Sequence, residues 1–142
     1  MIATDGSGTP TGLPATLAAV SVGGVLGALA RYAITLAWPS APGTFPWATV
    51  IVNASGCLAI GAFLVVITEY RTAHPLLRPF AATGLLGGYT TFSAYCGDIV
   101  GLVAEGRPGQ AIGYLALTAL SAMAAVVCAA KGTRAVLGGR TR

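Results

Sequence analysis

Four long apolar runs, at about 14–38, 47–68, 79–104 and 110–130, dictate what this chain can become. A helix crossing the hydrocarbon of a bilayer needs roughly 20 such residues. In that medium every backbone N–H and C=O must be satisfied within the protein, which a helix does by itself. The runs therefore predict an all-α membrane protein with four transmembrane helices. Only 8% of the 142 residues are charged, against about a quarter in soluble domains. That excludes a disordered chain and disfavours a soluble enzyme.

The connections carry helix-ending chemistry, with Pro39, Pro42 and Gly43 in the first, Pro75 in the second, and Gly106, Pro108 and Gly109 in the third. Trp38, Trp47 and Tyr70 fall at the ends of runs, where amphipathic rings favour the headgroup region. The chain thus divides into a disordered tail at 1–13, one membrane domain at 14–130 and a basic tail at 131–142.

The net charge of +4 concerns topology and does not form a phosphate-binding face, so no nucleic-acid partner is expected. Four spans place both ends of the chain and the second connection on one side, with Arg71, Arg78, Lys131, Arg134, Arg140 and Arg142. The other side has Arg107, with Arg31 close to it. The bias predicts a multi-pass protein of the plasma (inner) membrane with both termini in the cytoplasm. Cys57, Cys96 and Cys128 all lie inside apolar runs and read as small packing residues. His74 stands beside Pro75 without a ligand partner at metal-binding spacing, and no nucleophile–base pair, P-loop or dinucleotide fingerprint occurs. The chain is not expected to be an enzyme.

Polar groups placed in hydrocarbon are costly and tend to be functional. Asn53 sits in the second run, where its amide serves either as glue between helices or as a contact for a passing ion. The third run contains Gly84-Leu85-Leu86-Gly87-Gly88-Tyr89-Thr90-Thr91-Phe92-Ser93-Ala94-Tyr95. Adjacent glycines followed by two threonines are poor helix formers and predict a break. Backbone freed there can bind a cation through carbonyls or an anion through N–H groups. Phe92 and Tyr95 share a face, as do Ser93 and Cys96. An aromatic edge is weakly electropositive, so the pair either packs or faces an anion. Tyr114, Thr118 and Ser121 make a hydroxyl stripe on the fourth run, which either replaces an ion's hydration or bonds the backbone one turn earlier. Asp98 is the one acid within a span. Gly23 with Gly27, and Gly56 with Gly61, permit close helix approach, and four short helices are expected to oligomerise.

Together these residues resemble the Fluc (CrcB) fluoride-channel family across all four runs. The carriers are Gly23-Gly24-x-x-Gly27-Ala28-x-x-Arg31-Tyr32, Asn53-x-x-Gly56-x-x-x-x-Gly61 and Gly84-x-x-Gly87-Gly88-x-Thr90-Thr91-Phe92-Ser93. The resemblance implies passive, fluoride-selective export of toxic fluoride from the cytoplasm. It implies an antiparallel dimer with two pores and a central structural Na+. Asn53 matches the pore asparagine, and Phe92 the first of the fluoride-facing aromatics. Tyr95 stands where the second is usually Phe, and Ser93, between the two, is expected to line the pore with them. Tyr114 and Thr118 match the polar track on the last helix, whose third position falls at Ala122. Arg31 matches the vestibule arginine, and Gly87 and Thr90 the positions whose backbone carbonyls hold sodium. Fluoride is small and strongly hydrated, and neutral donors at close range replace its water without holding it too tightly to leave.

The charge bias adds an expectation. An antiparallel homodimer needs one sequence to insert both ways, which a strong bias opposes, so the partner is either a second copy or an oppositely oriented paralogue. Two other readings compete: a small multidrug-resistance-type proton-coupled exporter, disfavoured because the first run has no carboxylate, and a non-conducting partner subunit.

Overall fold

The computed structural model describes residues 12–39, 44–70 and 74–138, which hold helices and no strand. In chain order these are α1 (Leu13–Ala37), α2 (Trp47–Val65, widened into a π-type turn at Val66–Tyr70), α3 (π-type at Pro79–Leu86, closed by Gly87–Tyr89), α4 (Ser93–Ala104) and α5 (Pro108–Gly138). Leu13–Ala37, Trp47–Tyr70 and Pro108–Gly138 are long and apolar enough to cross a membrane. The third apolar run of the sequence is instead two half-helices, α3 and α4, separated at residues 90–92.

Most of the expected N-terminal tail lies outside the described residues, while Leu13 of that stretch already opens α1, with a proline in the first turn, where its missing N–H costs nothing. At the other end the expected basic tail is helical as far as Gly138. The apolar run stops earlier, but Ala, Lys and Arg are good helix formers, and Arg134 is tied to Glu69 at the end of α2 through a 2.7 Å ion pair. Between α4 and α5 the chain turns at Gly106, whose φ of 74° is a left-handed conformation that glycine adopts without strain. Gly106 N–H bonds the Val103 carbonyl at 3.0 Å and Arg107 N–H the Leu102 carbonyl at 2.9 Å, closing the last turn of α4 with the two bonds of a Schellman motif.

Contacts fix the directions of the helices. α1 and α3 run parallel, backbone against backbone: a methyl added at Gly23 would fall on the Phe80 carbonyl oxygen, one at Gly27 on the Leu85 carbonyl oxygen, and one at Gly88 on the Gly24 carbonyl oxygen. α2 and α5 also run parallel, and in register. Thr49 and Tyr114 meet on one carboxylate oxygen, Gly61 abuts the Val126 carbonyl, and Glu69 pairs with Arg134. Each of these pairs is separated by the same 65 residues. α2 runs antiparallel to the broken third segment, with Thr49 near Asp98, Asn53 near Thr91 and Gly56 near Thr90. The four apolar runs thus alternate up and down. A small core of Val50, Leu102, Ala111 and Tyr114 lies where α2, α4 and α5 meet. Most large apolar side chains of α1, including Leu17, Val25, Leu29 and Leu36, remain exposed.

Candidate functional site

The site grows from the break between α3 and α4. Thr90 is extended, with ψ at 156°, so the helical ladder cannot continue through it. Its own N–H and hydroxyl both return to the Leu86 carbonyl at 3.0 Å. The backbone of Thr91 is then taken over by another helix. Asn53 of α2 accepts from Thr91 N–H through Oδ1 at 2.8 Å and donates to the Thr91 carbonyl through Nδ2 at 3.0 Å. Thr91 Oγ1 in turn accepts from Ala94 N–H at 3.1 Å, satisfying a donor of the first turn of α4.

These substitutions release particular carbonyls. In an unbroken helix Thr91 N–H would bond the Gly87 carbonyl and Ala94 N–H the Thr90 carbonyl. Both donors are diverted, to Asn53 and to the Thr91 hydroxyl. Gly87 and Thr90 therefore present carbonyl oxygens without those partners. The Gly88 carbonyl receives Arg31 Nε at 3.2 Å, so the arginine of α1 braces the break from the other side.

Beside the break lies a groove of about 290 Å³ whose lining includes Asn53, Cys57, Thr90, Thr91, Phe92, Tyr95, Thr118 and Ala122. Among the described residues no charged side chain lines it. Asn53 has one amide hydrogen committed to Thr91 and a second still available, so it is both glue between helices and a donor at the groove. Thr118 is 4% exposed and its hydroxyl makes no hydrogen bond. Phe92 and Tyr95 stack obliquely, centroids 5.9 Å apart at 48°, with Phe92 77% exposed at the open side of the groove. The Tyr95 hydroxyl donates to the Leu115 carbonyl at 3.0 Å. It is thereby engaged with α5, and the ring stands in the groove much as a phenylalanine would.

The structure thus gathers Asn53, Thr90, Phe92, Tyr95 and Thr118 and places other expected residues elsewhere. Tyr114 is fully buried, ringed by Phe45 at 5.5 Å and Tyr95 at 5.4 Å, and donates to Asp98 Oδ2 at 2.9 Å. Thr49 donates to the same oxygen at 2.8 Å. Asp98 and Arg31 line a second cavity of about 230 Å³, with Thr49 and Thr91 among its other residues. Thr91 is therefore a wall common to both cavities. Ser93 is exposed, 3.3 Å from the Thr91 hydroxyl and outside the groove lining. Ser121 bonds back to the Thr118 carbonyl at 3.1 Å, the local alternative open to such hydroxyls. Reading along the chain missed Thr49 and the central part of Thr91; their signal was the spacing of Thr49 one turn before Asn53.

A family model described as "CrcB-like protein, Camphor Resistance (CrcB)" matches residues 18–130, which takes in every element of the site. This chain belongs to the CrcB (Fluc) family. CrcB proteins are membrane ion channels and not enzymes. Among CrcB relatives, "Fluoride-specific ion channel FluC 2" of Nocardia farcinica is 51% identical over 129 residues, covering 91% of this chain and 92% of its own. "Fluoride-specific ion channel FluC 1" of Streptomyces coelicolor is 53% identical over 131 residues, covering 92% and 84%. "Fluoride-specific ion channel FluC" of Paracoccus denitrificans, at 41% over 113 residues, covers 79% of this chain and 89% of its own.

Proposed function

We propose that this chain is the subunit of a passive, fluoride-selective channel that lets toxic fluoride leave the cytoplasm, and that it works as an antiparallel dimer with two pores. The observation that carries this reading is the groove beside the break, lined by Asn53 with an uncommitted amide hydrogen, by Thr118 and by the Phe92–Tyr95 pair, and among the described residues by no charged side chain. Neutral donors replace the hydration of a small anion and still let it go. In this reading the broken third segment completes a fourth span. The exposure of Phe92 at the groove favours a partner that closes it.

Gly87 and Thr90 fit a structural sodium ion, because their carbonyls are the ones whose helical N–H partners have been drawn away. Sodium there would supply positive potential beside the anion path without occupying it. Arg31 holds the Gly88 carbonyl between these two positions and shares the second cavity with Asp98, as a vestibule residue would.

Efflux from liposomes holding the purified chain, with chloride as control, tests the reading. Fluoride should leave rapidly and chloride should not. Asn53→Asp removes the donor to the Thr91 carbonyl and adds a negative charge to the groove, and Phe92→Ile removes the ring edge. Each should greatly reduce fluoride flux while the protein still assembles, and unchanged flux in both would sink the pore assignment.

The partner is either a second copy or an oppositely oriented paralogue. The cation bias between the two sides of the sequence favours the second. Streptomyces avermitilis carries two relatives, named FluC 2 and FluC 3, so more than one such chain occurs within one organism.

A further inference from the structure

The parallel register of α2 and α5 places their residues as rungs. The shared separation of 65 residues sets Thr49 level with Tyr114, Gly61 with Val126 and Glu69 with Arg134. Carried between those fixed points, it sets Asn53 level with Thr118 and Cys57 level with Ala122, and all four line the one groove. Thr118, at its rung of the groove wall, is 4% exposed and its hydroxyl is without a partner. One turn on, about 5.4 Å along the helix, α5 brings only the methyl of Ala122. Ser121 does not fill the gap, since its hydroxyl is spent on the Thr118 carbonyl. The polar atom at that level is the sulfur of Cys57, a free and half-buried thiol.

We propose that Cys57 is a permeation-lining residue whose S–H donates to the anion at the rung that Ala122 leaves without a hydroxyl. A thiol is a weak donor and a large, polarisable atom. It therefore continues the sequence of neutral donors that starts at Asn53 and Thr118, and binds the anion more loosely than they do. A graded descent of this kind suits a site that an ion must leave. The inference rests on the channel reading above, and it adds a residue of α2 to the pore wall.

The test uses the full chain with Cys96→Ala and Cys128→Ala, so that Cys57 is the sole thiol, reconstituted in liposomes. Fluoride efflux before any treatment tests the channel reading by itself. Methyl methanethiosulfonate, a small thiol-specific reagent, should then abolish most of the flux, and the block should vanish in Cys57→Ala. Without reagent, Cys57→Ala should slow fluoride efflux several-fold, and Cys57→Ser, which restores a donor, should match or exceed the parent. Equal loss in Ala and Ser, or full flux through protein whose Cys57 is modified by mass spectrometry, would overturn the proposal in favour of simple packing. The rate of Cys57 modification supplies a readout independent of flux. Fluoride should slow it and chloride should not. Equal rates in the two salts would overturn the proposal whether or not the chain conducts.

Discussion

Asn53 engages both backbone groups of Thr91 and keeps one amide hydrogen in reserve, so a single side chain holds the break open and faces the groove. An amide stranded in a run of Val, Ile and Ala was visible in the sequence as a group needing a partner. Which residue would answer it was not, because spacing within one helix says nothing of the register between helices. Asp98 shows the same limit. It was visible as an acid in an apolar segment, whereas its coordination by Thr49 and Tyr114 depends on three helices meeting. Tyr95 differs from the family's usual phenylalanine by a hydroxyl that is bonded to the Leu115 carbonyl and turned to α5. Tyr95→Phe should therefore leave fluoride efflux near the parent value. It should lower stability only by the worth of one interhelical bond in a membrane protein, about 0.6 kcal/mol, measurable as a small shift in thermal unfolding in detergent.

At the scale of the helix, the glycines of α1 divide by what faces them. Gly23 and Gly27 meet the backbone of α3, whereas a methyl on Gly24 would have nothing within 4 Å. All three substitutions to alanine raise helix propensity equally, so propensity and crowding can be separated. Gly27→Ala must displace the Leu85 carbonyl or the whole of α3, and overpacking of this kind costs about 1–3 kcal/mol. Gly27→Ala should lower the unfolding temperature markedly while Gly24→Ala leaves it level or higher; equal behaviour would contradict the backbone contact. The small-residue spacing was legible in the sequence, as was the break after Gly87-Gly88. Its location between a π-type half-helix and an α-helical one was not, because the wider coil of Pro79–Leu86 answers to packing against α1 rather than to any local preference.

Taken whole, the molecule has up-and-down helices whose connecting charges favour one orientation, with six cations on the side of the chain ends and two at or near the other. A single cysteine at Thr141→Cys, in a chain with its three native cysteines replaced by alanine, should react with an impermeant reagent from the cytoplasmic side alone. Labelling from both sides would remove the charge argument and favour a homodimer of dual topology. The break also bears on how the chain is made. Three of its bonds come from Asn53 and Arg31, on helices separate from the segment that is broken. Residues 79–104 themselves carry part of the instruction to break, in Gly87, Gly88 and the hydroxyls of Thr90 and Thr91, and the remainder arrives from outside the segment. The break is complete only where α2 docks and its Asn53 amide takes over both backbone groups of Thr91. Formation of the break is on this account a shared task, divided between the local sequence of the third segment and the packing of the second helix against it.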